Sequence, residues 1–153
     1  MDQEGISKFS QKLLEAEQEV LIYLNMTLSH AIDSSSEYIS VFMESLKFLL
    51  EKGVDIKLIM GGIDQDTFKE KFFEYFIPFY EIVKKIQIRF SENLTNTFDI
   101  VDKEKVLLKM SNPVNSIEYL ASIFLWKKDF AEKLRERFFD LWQNADELEV
   151  KIG

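Results

Sequence analysis

Few residues in this sequence could do chemistry. A single histidine, His30, lies in Leu28-Ser29-His30-Ala31-Ile32-Asp33 with no lysine two positions on, and the 153-residue chain contains no cysteine. Thiolate nucleophiles, disulfides and cysteine metal sites are therefore excluded. One imidazole does not make a transition-metal site, so no metal or other cofactor is expected. Asp64 and Asp66 stand in Asp64-Gln65-Asp66-Thr67, a pattern better suited to capping a helix than to caging Mg²⁺ or Ca²⁺. Gly61-Gly62 is too slight for a phosphate cradle, because neither G-x-x-x-x-G-K-[ST] nor G-x-G-x-x-G occurs. Basic residues gather twice, at Lys84, Lys85, Arg89 and at Lys127, Lys128, Lys133, Arg135, Arg137, where acids on the same stretches make a solvated helix face the plainer reading.

The bulk composition limits the partners. A formal net charge of -8 sets the average field against nucleic-acid phosphates and anionic membranes, so direct DNA binding by this chain is not expected. With 46% apolar and 30% charged residues, five glycines and two prolines, the chain reads as one folded domain with a core rich in its fourteen phenylalanines. No run approaches the roughly 18 apolar residues of a membrane span, and the start Met1-Asp2-Gln3-Glu4-Gly5 is acidic where a secretion signal is basic. A cytoplasmic location follows as the expectation.

Periodicity supplies the elements that would position any site. Ile6, Phe9, Leu13, Leu14 and Ala16 predict an amphipathic helix over 6–19, and Val20 to Thr27 an apolar strand buried on both faces. Asp33-Ser34-Ser35-Ser36 offers an N-cap for a helix from Tyr38 to Lys52, stopped by Gly53. Val54 to Met60 alternates like a strand, and a third helix carrying Phe68, Phe72, Phe73 and Phe76 should break at Pro78. The aromatic residues Phe72, Phe73, Tyr75, Phe76, Phe79 and Tyr80 spread too widely for one buried stripe, which leaves open whether some face a partner or a covering neighbour. Strands follow at Lys85 to Phe90, Thr97 to Val101, Lys105 to Met110 and Glu118 to Trp126, and a helix runs from Lys128 to about Leu148. The fold class is α/β: a mixed β-sheet flanked by helices on both faces, with an antiparallel hairpin at Asp102-Lys103-Glu104.

This order, together with Leu49-Leu50-Glu51-Lys52-Gly53-Val54-Asp55-Ile56-Lys57-Leu58-Ile59, Phe98 to Leu108 and Phe138-Phe139-Asp140-Leu141-Trp142-Gln143-Asn144-Ala145, resembles the phospholipase D-like domain from Leu14 to Ala145. It is most similar to the effector-binding half of TrmB-type archaeal transcription regulators. Active members of the superfamily carry H-x-K-x4-D, in which the histidine attacks phosphorus and the lysine neutralises developing charge. With Asp102 as the acid, Thr95 stands for the histidine and Thr97 for the lysine, and Asn112 falls where the superfamily often has an asparagine. Threonine supplies neither an activated nucleophile nor a positive charge, so the resemblance implies a non-enzymatic domain and an active phosphodiesterase is disfavoured.

What the resemblance implies instead is a sensor of a small metabolite or sugar, bound at the ends of the central strands by Asn25, Thr27, Thr95, Thr97, Asp102, Ser111 and Asn112. The plainer account of the same Asn, Ser and Thr residues is that they end strands and start turns. TrmB-type regulators place a winged helix before this domain, and strand-forming sequence here begins at Val20, so the chain is either a piece of a longer regulator or a relative acting through a partner. The alternative function is a homodimerising interaction module, since halves of this type pair about two-fold axes.

Overall fold

The strand at the centre of the sheet is the most apolar in the chain, and burial explains why. The computed structural model describes residues 12–25, 36–92, 97–111 and 119–147. β1 (Glu19–Asn25) sends Val20, Ile22 and Leu24 to one face and Leu21 and Tyr23 to the other, each 3% exposed or less. Such a strand needs cover on both sides.

One cover comes from α1 (Ser36–Glu51) and α2 (Gln65–Phe76), which flank β2 (Asp55–Gly61) in the chain. Phe42, Met43, Leu46 and Leu49 of α1 join Phe68, Phe72 and Phe76 of α2 in a single core with the even residues of β1. Burying each of these side chains contributes about 1.5–3 kcal/mol. The aromatic helix uses one stripe: Phe68, Phe72 and Phe76 recur every four residues with neighbouring ring centroids 5.7 and 5.2 Å apart, while Phe73 is left 44% exposed. Pro78 interrupts the helix as expected, giving a 3-10 turn (Ile77–Phe79) and a short α3 (Tyr80–Val83).

Beyond α3 come β3 (Gln87–Ser91), β4 (Thr97–Val101), β5 (Lys105–Ser111), β6 (Tyr119–Trp126), α4 (Lys128–Asn144) and β7 (Asp146–Glu147). The seven strands form one sheet in the order β6-β5-β4-β1-β2-β3-β7. β1, β2 and β3 are parallel, while β4, β5, β6 and β7 pair antiparallel with their neighbours. The second face is covered by α4, whose Ala131, Phe138 and Trp142 pack with Leu21, Tyr23, Ile59, Phe98 and Ile100. A mixed sheet with helices on both faces is therefore the observed architecture. No helix among the described residues is long and apolar enough to cross a membrane.

Two local readings are corrected. The first helix was expected to reach Glu19, but helical geometry covers only residues 12–14 of the described chain and strand pairing begins at Glu19. The last helix was expected to reach Leu148; it ends at Asn144, and Asp146–Glu147 instead pairs with β3. Gly53 behaves as predicted: its φ of 86° and the bonds from Gly53 N to Leu50 O (3.0 Å) and Val54 N to Leu49 O (3.0 Å) close α1 in a Schellman motif.

Candidate functional site

Strand registers decide which of the expected site residues can meet. Asn25 pairs with Gly61 and Gly61 with Ser91, while Tyr23 pairs with Phe98 and Thr97 with Lys109. Because β4 runs against β1, the start of β4 lies at the end where β1, β2 and β3 finish. Asn25, Thr97 and Ser111 are thus brought to one rim of the sheet, at the carboxyl ends of the parallel strands, where ligands of open α/β sheets bind. Thr27, Thr95 and Asn112 lie outside the described residues.

Asp102 does not join them. It follows β4 at the opposite end of the sheet, five residues and so roughly 17 Å from Thr97. Its carboxylate accepts hydrogen bonds from the backbone N–H groups of Glu17 (3.0 Å), Gln18 (2.8 Å) and Glu19 (3.0 Å), and its own N–H donates to Glu19 O at 2.9 Å. Asp102 and Lys103 both have positive φ, 54° and 65°, in a turn closed by Glu104 N to Val101 O at 3.2 Å. Asp102 is a clip between the β4–β5 turn and the start of β1, and its expected place in one site with Asn25, Thr97 and Ser111 is corrected on that ground.

Below the rim, β4 carries one polar group that the sequence pattern did not single out. Thr97, Asp99 and Val101 alternate on the face covered by α1 and α2, and Thr97 is 3% and Asp99 0% exposed. Asp99 sits in register between Ile22 and Leu107, two core residues. The alternation Thr-x-Asp-x-Val was the available signal; it was obscured because the whole segment reads as a strand.

Carboxylates also fill the helix end beside the rim. Asp64 caps α2 by accepting from Thr67 N (3.0 Å) and Thr67 Oγ1 (2.6 Å), and these bonds hold its carboxyl below the usual aspartate range. Glu92, just after β3, accepts from Gln65 N at 3.3 Å. A helix N-terminus that could have received a phosphate is therefore occupied by the chain's own acids. Gly61 has a φ of 153°, and a β-carbon there would lie 1.8 Å from Ser91 O, so β2 and β3 approach at this point only through glycine. Among the described residues no group of three or more His, Cys, Asp or Glu could hold a metal ion.

The basic clusters are dispersed. Arg89 stacks 4.4 Å over Trp142 and donates to Trp142 O at 2.6 Å, tying β3 to the end of α4. Arg135 makes a two-pronged pair with Glu19 at 2.9 and 3.1 Å, which holds its guanidinium above the ordinary arginine range and anchors α4 to β1. A depression of about 510 Å³ lies along α1, lined by Leu14, Ser40, Val41, Glu44, Ser45 and Phe48, apart from the rim residues.

A family model described as Domain of unknown function (DUF7436) matches residues 2–148. No curated protein matches the sequence. Among solved structures the fold is similar to that of TrmBL2, described as an archaeal chromatin protein with a novel mode of DNA binding, at 15% identity and a TM-score of 0.68. The alignment covers 94% of this chain and 49% of that one, so the chain spans about half the length of the protein it resembles.

Proposed function

The chain belongs to the family described as Domain of unknown function (DUF7436), and because that description assigns no activity we propose a function from the geometry. The protein is a non-catalytic regulatory domain of transcription-regulator type, with a phospholipase D-like fold, that binds a small neutral metabolite such as a sugar at the carboxyl-end rim of its sheet. The observation that carries this reading is the register that brings the ends of β1 and β5 and the start of β4, with Asn25, Ser111 and Thr97, to one rim of the sheet, Thr97 standing at the superfamily's lysine position. The acids beside the rim favour a neutral, hydroxyl-bearing ligand: Asp64 and Glu92 oppose a phosphodiester, whereas hydroxyls can donate to carboxylates. With a net charge of -8, the chain leaves contact with nucleic acid to another part or partner.

The test is a thermal-shift screen of the purified chain against sugars, sugar phosphates and nucleotides. A concentration-dependent rise with a neutral sugar that Thr97→Val removes supports the proposal. No rise with any sugar, or hydrolysis of a generic phosphodiester by the purified chain, would sink it. A second reading, a homodimerising interaction module, is favoured by a separate observation: among the described residues the outer edge of β6 pairs with no strand.

A further inference from the structure

The end of α4 and the strand that follows it are gripped by one guanidinium from another element. α4 has no basic side chain in its own last turn, where the free carbonyls and the helix dipole favour a cation. Arg89 of β3 supplies that charge. Its Nη1 donates to Trp142 O at 2.6 Å, the oxygen that also accepts from Ala145 N at 3.2 Å, and the guanidinium lies 4.4 Å from the Trp142 ring centroid. Its other terminal nitrogen, Nη2, reaches Glu147 Oε1 at 3.5 Å. One side of this junction belongs to the core, because Trp142 is buried and stacks on the fully buried Phe138. The other side does not: Asp146 and Glu147 of β7 are both exposed, and they lie on the outer edge of β3 opposite Phe90 and Arg89.

We propose that β7 is a releasable strap over the edge of β3 and that Arg89 is its latch: the strap swings away at Ala145 while α4 and the rest of the sheet stay folded. The inference is independent of the ligand at the rim and of self-association. Opening the strap breaks no apolar packing, since both of its side chains are exposed acids, whereas opening β1 would bare both cores. Segments with few buried contacts open locally, far below the cost of global unfolding. Ala145 supplies the joint, because it already leaves the helix in an extended conformation, φ −89° and ψ 152°. Arg89 suits the latch because its fork serves core and strap with different nitrogens while its plane stacks on Trp142, a combination that a lysine ammonium does not reproduce. The strap has a consequence for the surface. A bare strand edge templates another strand, and two acidic residues laid along it are the kind of cover that prevents this, so Arg89 governs when the outer backbone of β3 is available for pairing.

Amide hydrogen exchange of the full chain, read residue by residue by NMR, tests this with the native protein, Arg89→Lys and Glu147→Arg. In the native chain the amides of β7 should exchange about a hundredfold or more faster than those of β1, as a locally opening segment does. Arg89→Lys should speed exchange in β7, and at the β3 amides facing it, by about tenfold, with β1 unchanged. Glu147→Arg alters the strap alone and should speed β7 in the same selective way. Native β7 amides as slow as those of β1 would overturn the releasable strap, because β7 would then open only with the whole fold. An acceleration in Arg89→Lys that β1 shares equally, or none in β7 for either variant, would overturn the latch.

Discussion

Asp102 shows how far the meaning of one residue can depend on distant chain. Its carboxylate holds three consecutive backbone N–H groups of residues 17–19, more than eighty positions earlier. Such charge-assisted bonds also offset the strain of two non-glycine residues with positive φ in the turn. Asp102→Ala is expected to lower stability by about 1.5–3 kcal/mol, read by urea denaturation, without altering any ligand-dependent shift. Asp64 gives a pH-dependent case. Its carboxyl lies below the ordinary aspartate value in the folded chain, so its contribution is present above that value and fades as the pH falls through the folded one. The difference in melting temperature between the native chain and Asp64→Ala should be constant near neutrality and shrink below about pH 4. The sequence identified both acids as special. It assigned the cap correctly, because a cap is local, and placed Asp102 at the wrong end of the sheet, because the clip's partners are non-local.

Elements were legible where one physical cause acts along the chain. The heptad-like spacing of α1, its Gly53 terminus and the buried alternation of β1 follow from side chains within a few residues of each other. The failures have the opposite character. The first helix ends early because Asp102 and β2 capture the backbone of residues 17–19 for pairing, which no local propensity records. β7 forms because Arg89 reaches both Trp142 O and Glu147, fixing the chain beside β3. At the close contact of β2 and β3, Gly61→Ala is expected to cost several kcal/mol, since the obstacle is the Ser91 backbone and no side-chain rotation relieves it. Within α2, Phe68→Ala should cost about 3–5 kcal/mol, because Phe68 is fully buried and its ring centroid lies 4.6 Å from that of Phe90. Both are measurable by chemical denaturation, and the exposed Phe73→Ala serves as the control with little change.

At the scale of the whole molecule, the mixed sheet was foreseeable from the order of elements, whereas the identity of the rim was only half so. Asn25, Thr97 and Ser111 reach one rim of the sheet because β4 runs against β1 and β5 against β4, and that reversal also carries Asp102 away from them. The pair of Glu19 with Arg135 links residues 116 positions apart; Arg135→Leu should destabilise by about 2–3 kcal/mol, and a double-mutant cycle with Glu19→Leu should recover part of it. The two faces of the sheet differ in a further respect. Cover for one face, α1 and α2, precedes most of the strands, whereas the other face is shielded chiefly by α4, which begins at Lys128. A ribosome therefore releases six strands before the helix that screens Leu21, Tyr23, Ile59, Phe98 and Ile100 exists. Over that interval the nascent domain presents a sticky half-finished surface, making this stretch of synthesis the point at which a chaperone would matter most.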